Sequence, residues 1–220
     1  MKHLFSIALS SILFITSAFG QREMKNGVVI DHSAEKIVKN IAKKLKTDSP
    51  VAFNFTLKIQ EEGKIVQNEK GAFLSDNDKY RVYTSAFEDY CDGKTLWHYI
   101  KAANEVEISN MDGGSSMFNF SNMISTYLNG FRPKLIREEK RPNGTMNILD
   151  LTATKINSVI KVRIVATANT NRISEMVIYT SDGKIYTYTI SNYQTKQATL
   201  PTDFSFPTSK YPKVQSVDLR

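Results

Sequence analysis

Val51-Ala52-Phe53-Asn54-Phe55-Thr56-Leu57-Lys58-Ile59-Gln60 is the stretch that decides the fold class. Val51, Phe53, Phe55, Leu57 and Ile59 alternate with Ala52, Asn54, Thr56, Lys58 and Gln60. A period of two puts the first set on one side of a pleated strand and the second on the other, so a strand with one buried face is predicted. Glu62-Gly63-Lys64 then reads as a turn into Ile65-Val66. Asp92-Gly93-Lys94 and Asp182-Gly183-Lys184 repeat the signal, because Asp-Gly suits a tight primed turn. Around these turns, strands are predicted near 70–75, 79–84, 87–91, 95–100, 104–109, 146–153, 159–166, 172–179 and 184–191. Sequential hairpins make an antiparallel meander. Roughly ten such strands with one wet face close into a barrel or curl over a helix.

Two segments depart from the strand period. Ala34, Ile37, Val38, Ile41, Ala42 and Leu45 recur at helical spacing, with Lys36, Lys39, Lys43 and Lys44 between them. They predict an amphipathic helix with Ser33 as its N-cap. Its apolar stripe needs a surface, which is the protein's own sheet by default and a membrane surface in the sharper reading. The second segment follows Asp112-Gly113-Gly114-Ser115-Ser116. In it Met123, Ile124, Tyr127 and Leu128 share one helical face, and Met117, Phe118 and Phe120 extend it. A Met- and aromatic-rich helix on a Gly-rich hinge suits a movable flap; the same pattern also suits a helix that plugs the sheet's core.

The chain opens with Lys2 and His3, an apolar run from Leu4 to Thr16, and Ser17-Ala18-Phe19-Gly20. This reads as an export signal, residues 1–20, cleaved after Gly20. Residues 21–33 read as a loose N-terminus and 34–220 as a single domain, long enough to bury a core without disulfides. With one cysteine, Cys91, no internal bridge is available. The formal charge of +7, about +6 once Lys2 is lost, is scattered and matches no nucleic-acid motif. It favours anionic membranes or acidic partners, and equally serves solubility.

Little in the chain suits catalysis. After the leader only His32 and His98 remain, and with Cys91 they make no metal-ligand spacing. Asp76-Asn77-Asp78 hints at calcium, but Tyr80 occupies the next ligand position. G-x-S-x-G, a Walker loop and H-E-x-x-H are all missing from the sequence. The expectation is a non-enzymatic binder with no metal or cofactor. A hydrolase with a dispersed pair of carboxylates is the alternative.

Asp92-Gly93-Lys94-Thr95-Leu96-Trp97-His98-Tyr99 resembles the D-G-K-T-L-W-x-Y hairpin of LolA-type outer-membrane lipoprotein carriers. Phe204-Ser205-Phe206, followed by Tyr211-Pro212-Lys213-Val214-Gln215-Ser216-Val217-Asp218-Leu219-Arg220, is similar to the tail of the Bacteroidetes branch of that family. The order of leader, basic helix, F-x-F strand, hairpin, Met/aromatic helix and tail also matches. The resemblance implies a mainly β fold with a few helices: an open or half-closed antiparallel β-barrel, its concave face covered by helices as a lid.

It further implies a periplasmic chaperone that takes acylated lipoproteins from an inner-membrane release complex to an unidentified outer-membrane acceptor. Such a carrier touches membranes transiently and works most simply as a monomer. A lipid- or protein-binding sensor on the same fold, which retains what it binds, is the alternative. Groove candidates are Phe53, Phe55, Leu57, Tyr80, Val82, Trp97 and Tyr99. Lid candidates are Met117, Phe118, Phe120, Met123, Ile124, Tyr127 and Leu128. Family members from proteobacteria often carry an Arg-Pro after the third strand, where the arginine tethers the lid. Here Asn77-Asp78-Lys79-Tyr80-Arg81 lacks that pair and leaves Arg81 as the substitute.

Overall fold

The computed structural model describes residues 22–25, 28–111, 130–155 and 158–220. Strands β1 (Arg22–Lys25) and β2 (Val28–Asp31) form a small antiparallel ribbon and lead into helix α1 (His32–Asp48). Twelve further strands make one sheet: β3 (Val51–Glu61), β4 (Lys64–Asp76), β5 (Lys79–Thr84), β6 (Phe87–Cys91), β7 (Thr95–Ile100), β8 (Glu105–Asn110), β9 (Phe131–Arg141), β10 (Gly144–Ala153), β11 (Val159–Thr167), β12 (Ile173–Thr180), β13 (Ile185–Thr195) and β14 (Gln215–Asp218). Their order is β14-β8-β7-β6-β5-β4-β3-β13-β12-β11-β10-β9. All neighbours are antiparallel except β14, which runs parallel to β8.

The ends of this order, β14 and β9, do not pair, so the sheet is open and does not close into a barrel. Among the described residues α1 is the one α-helix given a range; the second predicted helix, in 117–128, lies outside them. Two strands were missed as well: β9, which is charged along most of its length, and β14 in the tail. The stretch 21–33, read as loose, holds the β1–β2 ribbon and the first two residues of the helix.

Helix α1 starts earlier than its apolar stripe suggests. Asp31, not Ser33, is the N-cap: its Oδ1 accepts from the Ala34 N–H at 3.0 Å, and its Oδ2 accepts from the Leu135 N–H of β9 at 3.1 Å. One carboxylate thus caps the helix and ties it to the sheet. Ala34, Val38 and Ile41 are fully buried, and the helix packs mainly on β9. The default reading of the stripe, docking on the protein's own sheet, is the one the structure adopts.

The register sorts the sheet into two faces. The inner face carries Val51, Phe53, Phe55 and Leu57 of β3 with Phe73, Tyr80, Val82 and Leu96. One apolar cluster runs without a break from them to the helix. Each buried side chain of this size contributes about 1.5–3 kcal/mol. Gly71 lies opposite Phe55, and a Cβ there would meet the Phe55 ring at 2.2 Å and the Tyr83 carbonyl oxygen at 2.7 Å. The missing side chain is what lets the Phe55 ring lie flat across β4.

Candidate functional site

Five of the seven groove candidates come together on the inner face: Phe53, Phe55, Leu57, Tyr80 and Val82 are all at most 3% exposed. Phe53 stacks on Phe73 at 4.7 Å, and Phe73 on Tyr80 at 6.4 Å, which makes an aromatic row across β3, β4 and β5. Phe55 leans on Tyr188 of β13 at 6.0 Å. Cys91, paired with Tyr80 and Leu96, continues the surface as a small apolar residue, and burial pushes its thiol up to about 11.

The other two candidates do not belong to this face. In β7, Leu96 joins the inner cluster, while Trp97 and Tyr99 point the other way, because successive side chains alternate. They join Tyr90, Val106, Phe206, Tyr211 and Val214 in an outer cluster made by the C-terminal segment folding back over the sheet. Phe206 stacks on Tyr211 at 5.2 Å and meets Tyr90 edge-on at 5.8 Å. The turn Pro201–Phe204 lies against β5 and β6.

Polar groups anchor this tail. Glu88 is buried, and its Oε2 accepts from the Tyr90 hydroxyl at 2.8 Å and the Tyr211 hydroxyl at 2.9 Å. Its Oε1 lies 3.0 Å from Lys101 Nζ. Burial pushes the Glu88 carboxyl up, but the hydrogen bonds from Tyr90, Lys101 and Tyr211 together outweigh it and hold it below the usual carboxylate range. Tyr211 is pushed up to about 12 by burial and by its bond to Glu88. Arg81, the substitute latch for the lid, also faces outward. Its Nη1 lies 3.3 Å from Asp203 Oδ1 and its guanidinium sits 4.7 Å from the Tyr83 ring. Arg81 therefore fastens the tail on the face opposite the groove candidates.

His98 has a structural partner on the inner face. Its Nδ1 is 2.6 Å from Asp89 Oδ1 across the β6–β7 ladder, and Phe87 lies 5.3 Å from its ring. The Asp89 hydrogen bond raises the histidine above its ordinary 6.5. His32 pairs with Glu23 and Glu35 at the surface. Among the described residues no group of three or more His, Cys, Asp or Glu converges as a metal site would. Among them, too, no helix is long and apolar enough to cross a membrane.

A depression of about 200 Å³ opens on the outer face, lined by Ala52, Asn54, Ala72, Leu74, Arg81 and Tyr83 among others. It is smaller than pockets for drug-sized ligands, at about 300–1,000 Å³, and it does not involve the five-residue inner cluster as a whole. The lid candidates Met117, Phe118, Phe120, Met123, Ile124, Tyr127 and Leu128 lie outside the described residues, as does the leader 1–20. The tail anchors Glu88, Lys101 and Tyr211 were missed in the sequence. A glutamate and an aspartate between Phe87 and Tyr90-Cys91 were the available signal, since charges inside an apolar strand need buried partners.

The chain is similar in fold to an uncharacterized conserved protein from Thermus thermophilus. That likeness has a TM-score of 0.57 at 14% identity and covers 84% of this chain and 99% of that one. A LolA superfamily protein from Nitrosomonas europaea gives a TM-score of 0.43 at 12% identity, over 79% of this chain and 97% of that one. A putative outer membrane lipoprotein-sorting protein domain from Vibrio parahaemolyticus gives 0.44 at 11%, over 82% and 100%. At 14% identity the likeness to the Thermus thermophilus protein is one of fold alone, and none of the structures named here marks the Bacteroidetes branch. No family model and no curated protein matches the sequence.

Proposed function

We propose that this protein is a periplasmic, non-catalytic carrier that shields the acyl chains of lipoproteins on the inner face of its open sheet. The supporting observation is the unbroken apolar surface of Phe53, Phe55, Leu57, Phe73, Tyr80 and Val82 on a sheet whose edges do not meet. Acyl chains in water cost roughly 0.8 kcal/mol per CH₂, so a carrier needs a continuous apolar surface, and it needs no reactive group. The D-G-K-T-L-W hairpin and the F-x-F tail support the same reading by resemblance. On it, cargo is received from an inner-membrane release complex and given to an outer-membrane acceptor, with residues 117–128 as the cover.

The test is binding of the purified, exported protein to a fluorescent triacylated lipopeptide, with the unacylated peptide as control. Saturable binding that requires the acyl chains is the expected result; a folded protein that binds neither refutes it. One observation favours a second reading, a module that holds its ligand without passing it on. The inner face is closed, with the five candidates at most 3% exposed. Release of lipoproteins from spheroplasts into the soluble fraction separates the two: a carrier releases them and a retaining module does not.

A further inference from the structure

The outward face of α1 carries a row of cations that the fold leaves unused. Lys36, Lys39, Lys43 and Lys46 are all exposed. At 3.6 residues per turn they fall within an arc of roughly 80° and span about 15 Å along the axis. This arc is opposite the stripe of Ala34, Val38 and Ile41, which the sheet has already buried completely. Among the described residues none of the four lysines has an ion-pair partner. Both acids of the helix are engaged elsewhere: Glu35 lies 3.4 Å from His32, and Asp48 is held by Lys44 at 2.7 Å and Arg172 at 3.4 Å.

We propose that this helix face docks the protein on anionic phospholipid bilayers. The side chains on this face select that partner. Beside the lysines stand Asn40 and Thr47, and within their arc lies His32, paired with Glu23 and Glu35; no apolar residue is there to insert, so the contact is electrostatic and reversible. A protein partner would be held by aromatic and arginine anchors, and this face has none; lysine itself is depleted at protein interfaces. An anionic lipid surface asks for no such geometry. Each lysine near it contributes independently, and the headgroups rearrange laterally to meet the row. The inference does not rest on the carrier reading: it concerns the face turned away from the acyl-binding candidates, and it survives if no acyl chain binds.

The experiment is vesicle flotation of the purified, exported protein. Vesicles containing phosphatidylglycerol are compared with vesicles of phosphatidylcholine alone. The expected result is binding to the anionic vesicles only, weakening as salt shortens the screening length. The variant Lys36→Gln/Lys39→Gln/Lys43→Gln/Lys46→Gln should lose about fivefold per lysine, or several hundredfold in all. Glutamine has nearly the helix propensity of lysine, so the helix persists, which circular dichroism checks. A second variant, Lys58→Gln/Lys70→Gln/Lys140→Gln/Lys196→Gln, removes the same charge from exposed positions elsewhere and should keep its binding. Equal binding to both vesicle types, no binding to the anionic ones, or an equal loss in the second variant each overturns the proposal. Retained lipopeptide binding in the helix variant keeps this test separate from that of the groove.

Discussion

Replacing Phe206 by alanine tests whether the C-terminal segment is part of the folded domain. The ring is 7% exposed and touches Tyr211 at 5.2 Å, Tyr99 at 5.6 Å and Tyr90 at 5.8 Å. Truncating a buried phenylalanine costs about 3–5 kcal/mol, and three aromatic neighbours put this site toward the upper end. For a domain of this size each kcal/mol lowers Tm by about 2–4 °C, so the loss is roughly 6–20 °C. Whole domains are stable by only about 5–15 kcal/mol, so such a loss is a large fraction of the total. Urea unfolding followed by far-ultraviolet circular dichroism and by fluorescence reads the loss directly. Trp97 is the chain's single tryptophan and belongs to the same outer cluster, so its emission in the native state should also shift toward that of a wetter indole. Lipopeptide affinity of the folded variant should stay unchanged, because the cluster lies behind the sheet from Phe53 and Phe55. A loss below about 1 kcal/mol would refute the packing of the tail, and lost acyl binding in a folded variant would refute the assignment of faces.

Four further outcomes follow from single contacts. Gly71→Ala drives a methyl group into the Phe55 ring and the Tyr83 carbonyl, and should cost about 1–3 kcal/mol in chemical unfolding. Asp31→Ala removes both the helix cap and the acceptor for the Leu135 N–H, and should cost about 1–3 kcal/mol, whereas Asp31→Asn recovers part of it. The Glu88 carboxyl is depressed in the fold, so it stabilises the protein above its ordinary value of 4.5, and that contribution fades as pH falls through the lower folded value; Glu88→Gln should flatten the acid limb of the stability curve. His98 is raised by Asp89, so its contribution is complete below 6.5 and fades as pH climbs through the raised folded value; Asp89→Asn should lower the His98 midpoint in an NMR titration.

What the sequence made legible was set by how many sides of each element are wet. Strand β3 has one dry face and one wet one, and its period of two is plain from Val51 to Ile59. The hairpin turns at Gly63, Gly93 and Gly183 were legible because each adopts a positive φ, between 77° and 94°, that glycine accommodates without strain. The start of α1 was misplaced by two residues because Ser33 and Asp31 are both competent caps. The choice between them fell to Leu135, a residue over a hundred positions away that needed an acceptor. Strand β9 was missed because Arg132, Lys134, Arg137, Glu138 and Lys140 leave almost no apolar alternation on an edge strand. Charges suit an edge, where they discourage pairing with another chain.

Strand β7 shows the opposite failure, and it accounts for the misplaced groove residues. Leu96-Trp97-His98-Tyr99-Ile100 has no wet face to give it a period, since a strand covered on both sides reads as a continuous apolar run. Taken alone it offers two equivalent assignments, and pairing Trp97 and Tyr99 with Phe53 was as consistent as the reverse. The missing constraint lay in the tail. Phe204, at the end of the Pro201–Phe204 turn, and Phe206, two positions on, are both buried, Tyr211 reaches Glu88, and Asp203 meets Arg81. A tail with three aromatics needs a surface of its own, and the only way β6 and β7 can supply one is to carry aromatics on the side away from the main core. Tyr90, Trp97 and Tyr99 are that surface. The aromatic content of the D-G-K-T-L-W-H-Y hairpin is therefore explained by tail docking on one face and core packing on the other. The case for an acyl-binding surface then rests on β3, β4 and β5.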